Sequence, residues 1–289
     1  MRSIINILDL SAGEIDQLIA VADDIMAQPE KYNEVCRHKI LATLFFEPST
    51  RTRLSFESAM LSLGGQVIGF SGADSSSAVK GETIADTIEV VNGYADIIAM
   101  RHPKEGAPVV ASMHTAVPLI NAGDGGHFHP TQTLADLLTI HHEKGTFDNL
   151  TIGLCGDLKY GRTVHSLIMA MRHFHPVFHF IAPEELAMPQ EYKLYCEQQG
   201  IEYHEHTAFN EDEIADADIL YMTRVQKERF SDLMEYERVK NVYILRNSML
   251  KNAKENMKIM HPLPRVNEIA YDVDDNPHAY YIQQAKNGL

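Results

Sequence analysis

Short apolar runs that alternate with helical stretches constrain the fold of this 289-residue chain more than any other feature. Runs such as QVIGF, ADIIAM, LTIGLCG and ADILYM have the length and composition of buried strands. Between such runs apolar residues recur at helical period, as they do after Ser11 and Glu14, which have the spacing of a capping box. The alternation predicts an α/β fold in which parallel sheets are flanked by helices on both faces, doubly wound and Rossmann-like.

The chain is long enough for two domains, each with its own core. The alternation begins again near residue 130, where the segment HPTQTLADLLTIHHEKG has the pattern of a helix. We therefore predict a first domain over residues 1–130 and a second domain over residues 131–289. Open parallel sheets bind ligands at the carboxyl ends of their strands, so the loops that follow the predicted strands should carry the functional residues.

Composition argues against several classes of protein. The chain has 25 Lys and Arg residues against 40 Asp and Glu residues, which leaves no basic surplus for a nucleic-acid surface. No segment approaches the roughly 20 consecutive apolar residues of a membrane helix. Acidic residues also appear too early in the N-terminal segment for a secretory signal. These features predict a cytoplasmic protein that binds neither nucleic acid nor membrane.

The cysteines and histidines do not favour a disulfide framework or a metal site. The three cysteines are odd in number and widely spaced. The 15 histidines include H-x-H pairs at 127/129, 173/175 and 204/206, but no cysteine or carboxylate cluster lies beside these pairs at ligand spacing. We expect no metal and no cofactor, and we expect His173, His175 and His179 to be packing or surface residues.

An anion site is predicted between the strand that ends at Phe46 and the helix predicted over residues 53–63. The backbone N–H groups at a helix N-terminus suit a phosphate, and the hydroxyls of Ser49, Thr50 and Thr52 add further donors. Arg51 adds a planar guanidinium that matches two phosphate oxygens. A simple N-cap would explain one hydroxyl but not the whole segment, because cations in the first turn oppose the helix dipole.

Arginines follow several other predicted strands, namely Arg101, Arg162 and Arg224. Each arginine alone could be structural, but together with Arg51 they place four guanidinium groups at strand ends. The segment GDLKYGR has two glycines yet lacks the G-K-[ST] of a P-loop and the G-x-G-x-x-G of a dinucleotide site. The clustering therefore indicates an anionic substrate bound in another way.

Seven segments in order resemble the motif series of the aspartate/ornithine carbamoyltransferase family. They are FFEPSTRTRLSFE, VKGETIADT, MRHP, HPTQTLADL, GDLKYGRTVHSL, YMTRVQKERF and HPLPR, spread from residue 45 to residue 265. Ornithine-type members characteristically carry H-C-L-P, whereas His261–Pro264 reads HPLP, which together with Arg224 and Gln226 resembles the aspartate type.

The resemblance implies a role for each matching residue. The phosphate group of carbamoyl phosphate is assigned to Ser49, Thr50, Arg51, Thr52 and Arg101. Thr52, Arg101 and His129 are assigned to the carbonyl oxygen, and Gln132 with the backbone carbonyls of Leu263 and Pro264 to the amino group. The carboxylates of aspartate are assigned to Lys80, Arg162, Arg224 and Gln226. In the family, Ser76 and Lys80 reach the site of a neighbouring subunit, which implies a homotrimer with shared active sites.

The implied reaction transfers the carbamoyl group of carbamoyl phosphate to the amino group of L-aspartate, a step of de novo pyrimidine biosynthesis. The leaving phosphate can accept the proton of the amine, so no protein base, covalent nucleophile or metal is required. Two alternatives stay open: a carbamoyltransferase for another amino acid such as ornithine, and a non-catalytic paralogue. A separate regulatory chain also stays open as a partner, and the family usually has a final helix, beyond Leu289, that packs on the first domain.

Overall fold

The computed structural model describes residues 2–72, 77–227, 230 and 232–289. The chain divides into two compact units. One unit comprises Met1–Leu134 with Gly288–Leu289, and the other comprises Ala135–Asn287. Among the described helices, none is both long and apolar enough to cross a membrane.

The first unit is built on a four-stranded parallel sheet whose strand order is β2-β1-β3-β4. Its strands are β1 (Ile40–Phe45), β2 (Gln66–Ser71), β3 (Ile97–His102) and β4 (Leu119–Asp124). Its helices are α1 (Ala12–Ala27), α2 (Thr50–Ser62), α3 (Ile84–Val91) and α4 (Ala107–His114), followed by the first turn of α5 (Pro130–Lys144). Leu44, Ile98 and Leu119 contribute one side chain each from three strands to the buried core.

The second unit contains a five-stranded parallel sheet with the order β7-β6-β5-β8-β9. Its strands are β5 (Thr151–Cys155), β6 (Val177–Ile181), β7 (Glu202–His206), β8 (Ile219–Met222) and β9 (Lys258–Met260). After α5 come α6 (Arg162–Ala170), α7 (Gln190–Gln199), α8 (Glu211–Ala215), α9 (Leu233–Val239) and α10 (Tyr281–Lys286). The predicted α/β fold with two parallel sheets flanked by helices is confirmed.

Two helix starts illustrate how local sequence sets the elements. The capping box predicted before α1 is present, because the Ser11 hydroxyl accepts from the Glu14 N–H at 3.3 Å while the Glu14 carboxylate accepts from the Ser11 N–H at 2.8 Å. The predicted start of the next helix at residue 53 is wrong, since α2 already begins at Thr50 after the extended residue Ser49. The earlier start places Arg51 and Thr52 in the first helical turn.

Strand order brings the predicted functional loops together within each sheet. In the first sheet β1, β3 and β4 are neighbours, so the loops after Phe45, His102 and Asp124 leave from the same edge. In the second sheet β5, β8 and β9 are neighbours, and the loops after Cys155 and Met222 share an edge with the HPLPR loop that follows β9.

A buried polar network joins two helices, one strand and the loop after β9 in the second unit. The Asp136 carboxylate on α5 accepts from the Tyr221 hydroxyl on β8 at 2.8 Å and from the Gln284 side-chain amide on α10 at 2.7 Å. The Gln284 side-chain oxygen in turn accepts from the His261 N–H at 2.7 Å. Burial, followed by the Asp136 charge, raises the pKa of Tyr221, so this hydroxyl stays protonated and donates.

We expect Tyr221→Phe to lower the free energy of unfolding by roughly 1.5–3 kcal/mol, because it removes a hydrogen bond to a buried carboxylate. Tyr203→Phe is a matched control, since the Tyr203 hydroxyl donates to Glu197 at 3.0 Å on the exposed surface and its loss should cost less than about 0.5 kcal/mol. Urea unfolding followed by circular dichroism measures both variants. Equal losses in the two variants would show that the buried network does not contribute specially to stability.

Candidate active site

The N-terminus of α2 presents hydrogen-bond donors that the helix itself does not use. Ser49 is the N-cap residue, yet its side chain forms no capping hydrogen bond, and no acidic residue occupies the first turn. The first backbone N–H groups of any α-helix have no acceptor within the helix, and the helix dipole makes this end positive. Arg51 is exposed and forms no ion pair with any residue that the structure describes. The segment from Ser49 to Thr52 thus has the donors and charge of an anion site.

Arg53, only two residues further along, is held differently. Its Nε donates to the Glu57 carboxylate one turn later at 2.5 Å, and the Thr43 hydroxyl donates to the same carboxylate oxygen at 2.9 Å. Glu57 therefore neutralises the charge of Arg53 within α2. Arg51 differs, since it has no acidic partner among the described residues.

Arg101 lies at the end of β3, next to β1. Its guanidinium forms an ion pair with Glu47, with Nε and Nη2 each 3.1 Å from the same carboxylate oxygen, and its Nη1 donates to the Ala122 carbonyl at 3.4 Å. Only 12% of the Arg101 side chain is exposed. These contacts fix the guanidinium at the strand edge from which α2 also departs. An incoming anion could exchange with Glu47 as the partner of Arg101.

His129 ends the loop between β4 and α5 and is buried. Its Nδ1 accepts from the Gln132 N–H at 3.3 Å, which places the proton of the neutral ring on Nε2. The Nε2 atom of the ring is therefore a hydrogen-bond donor. Asp124, at the end of β4, orders the loop that leads to His129, because its carboxylate accepts from the Phe128 N–H at 3.0 Å. The same carboxylate accepts from the N–H of Gly106, just before α4, at 2.9 Å.

In the second unit a buried aspartate joins the loops that follow β5 and β8. The Asp157 carboxylate accepts from the Tyr160 N–H at 2.9 Å and from the Gln226 N–H at 3.2 Å. The Gln226 side-chain amide then donates to the Tyr160 carbonyl at 2.9 Å. Burial raises the pKa of Asp157, while the N–H donors and the charge of Arg224 oppose that increase. The segments that carry Arg162 and Arg224 are thus ordered by one carboxylate.

The same two strand ends approach each other closely at Gly156. This residue has a φ of +116°, and a Cβ there would lie 2.5 Å from the Thr223 carbonyl oxygen. The Thr223 hydroxyl accepts from the Asp157 N–H at 2.7 Å. The glycine therefore permits the contact that draws the loop of Arg162, at the start of α6, toward the loop of Arg224.

The remaining predicted residues lie in three places. Leu263 and Pro264 lie in the loop that follows β9, beside the loop of Arg224. Lys80 is exposed at the end of a short 3-10 helix, Ser77–Lys80, that follows the outer strand β2 of the first unit. Ser76 lies outside the described residues.

The sequence analysis did not predict three acids whose carboxylates hold side chains or loops of the candidate site, namely Glu47, Asp124 and Asp157. Glu47 and Asp157 lie inside motifs that the sequence does mark, FFEPSTRTR and GDLKYGR, so their position beside the arginines was the available signal. Their partners are distant in sequence: Arg101 follows Glu47 by 54 residues, and Gln226 follows Asp157 by 69 residues. A linear pattern contains no information about such pairs.

Within the described part of the chain, no group of three or more His, Cys, Asp or Glu side chains is arranged to hold a metal ion. The histidines contact one another and their neighbours. His179 Nδ1 lies 2.9 Å from His206 Nε2, and Arg172 Nε donates to His173 Nε2 at 2.9 Å. Burial and then the neighbouring histidines lower the pKa of His179.

Comparison with known proteins extends over the whole chain. The family model described as "Aspartate/ornithine carbamoyltransferase, carbamoyl-P binding domain" matches residues 2–142, and the model described as "Aspartate/ornithine carbamoyltransferase, Asp/Orn binding domain" matches residues 148–289. The aspartate carbamoyltransferase catalytic subunit of Bacteroides thetaiotaomicron is 62% identical over 288 residues, covering 100% of this chain and 91% of the relative. That of Clostridium acetobutylicum is 59% identical over 290 residues, covering 100% and 94%.

Solved structures give the same result. The catalytic subunit of M. jannaschii aspartate transcarbamoylase superimposes with a TM-score of 0.91 at 47% identity, covering 100% of this chain and 94% of that chain. Aspartate transcarbamoylase from Trypanosoma cruzi, solved in complex with N-(phosphonacetyl)-L-aspartic acid, gives a TM-score of 0.92 at 38% identity, with 99% and 92% covered. The resemblance of the seven segments is confirmed, and the chain belongs to the aspartate/ornithine carbamoyltransferase family.

Proposed function

We propose that this chain is the catalytic chain of an aspartate carbamoyltransferase. It transfers the carbamoyl group of carbamoyl phosphate to the amino group of L-aspartate, which gives N-carbamoyl-L-aspartate and phosphate for de novo pyrimidine biosynthesis. The observation that carries the proposal is the α2 N-terminus, where Ser49–Thr52 offer donors that the helix itself does not use, at the same sheet edge as Arg101. These residues lie within residues 2–142, the range that the carbamoyl-P binding domain model matches.

In this proposal the first unit binds and activates carbamoyl phosphate. The phosphate group lies on the backbone and hydroxyl donors of Ser49, Thr50 and Thr52, with Arg51 and Arg101 as charge partners. Negative charge develops on the carbonyl oxygen as the amine attacks, and Thr52, Arg101 and the Nε2–H of His129 stabilise it. Gln132 and the carbonyls of Leu263 and Pro264 hold the amino group of the carbamoyl moiety.

The second unit binds aspartate through its two carboxylates. Arg162 and Arg224 supply guanidinium groups, Gln226 supplies an amide, and Lys80 is contributed by a neighbouring chain. This charge pattern favours aspartate over ornithine, because the terminal ammonium of ornithine would be repelled where the second carboxylate is attracted. It also argues against a non-catalytic paralogue, since a chain without catalysis need not keep these cations. The departing phosphate takes the proton of the amine, so the reaction needs no base, metal or cofactor from the protein.

The assembly that we propose is a homotrimer with shared active sites. Several large apolar side chains of the first unit are exposed: Leu54 and Leu61 of α2 are 59% and 60% exposed, and Val79, next to Lys80, is 65% exposed. Ile68 on the outer strand β2 is also exposed. Exposed apolar side chains become buried when a second chain packs on them, and this supports an interface on this unit. In the proposed trimer, Lys80 enters the active site of a neighbouring chain.

Two further proposals concern the surroundings of the enzyme. All three cysteines, Cys36, Cys155 and Cys196, are free thiols, which supports a reducing compartment such as the cytoplasm. A separate regulatory chain remains a proposed partner. Gel filtration of the trimer with nucleotides and candidate partner chains tests for such a complex.

We expect Arg51→Ala to lower kcat/KM for carbamoyl phosphate roughly 100-fold to 1,000-fold, because it removes an anion-binding group at the reacting phosphate. Arg53→Ala is the matched control, since its charge is already paired with Glu57, and it should lower kcat/KM by less than about tenfold. Steady-state assays with L-aspartate, and with L-ornithine in parallel, measure both variants. If both arginine variants lost the same activity, the assignment of the phosphate to Arg51 would be wrong.

We expect two inactive variants, Lys80→Ala and His129→Ala, to restore activity when their chains are mixed. In a cyclic trimer with shared sites, each mixed assembly contains one site built from two intact halves, so random mixing should restore about a quarter of wild-type activity. Each variant refolded alone is the control, and light scattering checks for three times the 32.5 kDa mass of the chain. A mixture no more active than its separate components would place Lys80 in the site of its own chain.

A further inference from the structure

Two buried ionisable side chains flank the HPLPR loop, and neither has a role in the reaction as proposed above. His261 is 1% exposed and Glu268 is 6% exposed, although imidazole and carboxylate groups are usually placed near water. Burying such groups is unfavourable unless their hydrogen bonds are satisfied by specific partners. The hydrogen-bond partners of His261 and Glu268 therefore indicate the role of this pair.

His261 connects the loop to Glu268 through both ring nitrogens. Its Nδ1 accepts from the Leu263 N–H at 2.7 Å, and its Nε2 lies 2.7 Å from Glu268 Oε1. A backbone N–H can only donate, so Nδ1 is the acceptor and Nε2 carries the proton that is donated to the carboxylate. Burial lowers the pKa of His261, which favours this neutral form of the ring.

Glu268 holds the C-terminal part of the loop. Its Oε2 accepts from the N–H groups of Val266 at 3.1 Å and Asn267 at 3.0 Å. Burial by itself raises the pKa of Glu268, but the hydrogen bond from His261 and the backbone donors outweigh it and hold the pKa below its usual value. The ionised carboxylate therefore ties together three backbone or side-chain donors between residues 261 and 268.

The backbone between these anchors has a conformation that needs support. Leu263 has a φ of +53°, in the left-handed region that residues with a Cβ rarely adopt. Its N–H is the group that His261 Nδ1 holds, and the His261 N–H is itself held by the buried Gln284. Two backbone N–H groups of the loop, those of His261 and Leu263, are thus held by buried side chains.

We propose that His261 and Glu268 are positioning residues, which hold the Leu263 and Pro264 carbonyl oxygens where they accept hydrogen bonds from the amino group of carbamoyl phosphate. The inference rests on the proposed function and adds the part of the site that recognises the carbamoyl moiety as an amide. Acetyl phosphate is the appropriate probe, because it keeps the phosphate and the carbonyl oxygen but has a methyl group in place of the amino group. A site whose acceptors are well placed should strongly prefer the compound with N–H donors.

The test compares wild type with Glu268→Gln and His261→Asn. Glu268→Gln keeps the shape of the side chain but can turn an NH2 group toward the N–H groups of Val266 and Asn267. His261→Asn keeps an acceptor for the Leu263 N–H and loses the donor to Glu268. Val266→Ala is the control, because its side chain is 56% exposed and only its backbone takes part. Melting temperatures identify any variant that fails to fold, in which case the other variant supplies the comparison.

Preference is measured as the inhibition constant of acetyl phosphate divided by the KM of carbamoyl phosphate. We expect this ratio to fall at least about tenfold in Glu268→Gln and His261→Asn, with kcat lowered and the inhibition constant of inorganic phosphate changed less than about threefold. Val266→Ala should keep the wild-type ratio. An unchanged ratio in folded variants would overturn the inference alone. Absence of carbamoyl transfer by the wild-type chain would overturn the proposed function, and this inference with it.

Discussion

Parallel strand pairing is the constraint on which the candidate site depends. Within each sheet three neighbouring strands end at one edge, and their loops carry the residues that the motifs mark. Hydrogen-bonded register fixes these ends relative to each other, as in the pairing of Phe45 with Arg101. Side chains that are 54 residues apart, such as Glu47 and Arg101, therefore form an ion pair without any long-range motif in the sequence.

Buried acids then determine which loop conformations persist. Asp124, Asp157 and Glu268 each accept two or more hydrogen bonds from groups in loops that follow strands. A buried carboxylate is unfavourable without such donors, so each acid is stable only when its loop adopts the observed conformation. A carboxylate also distinguishes the two arginines at the start of α2. Glu57 neutralises Arg53, whereas Arg51 is exposed at a positive helix end.

The sequence predicted the local features well, because their causes are local. The apolar runs locate the strands, and the Ser11 and Glu14 pair locates the start of α1, since strand burial and helix capping involve residues close in the chain. The start of α2 was predicted three residues too late, because the polar segment before Arg53 has no apolar period to mark it. The site acids were missed because their partners lie on other strands.

The sequence by itself determined the α/β class and the family, since strand–helix alternation and seven ordered segments are properties of the linear chain. The same segments selected the residues proposed to bind the two substrates. Tertiary structure alone decided that Arg101 is paired with Glu47, that Asp157 joins the loops of Arg162 and Arg224, and that His261 and Glu268 support Leu263. The physical reason is that strand order sets which loops meet, and only that meeting gives a buried acid its donors.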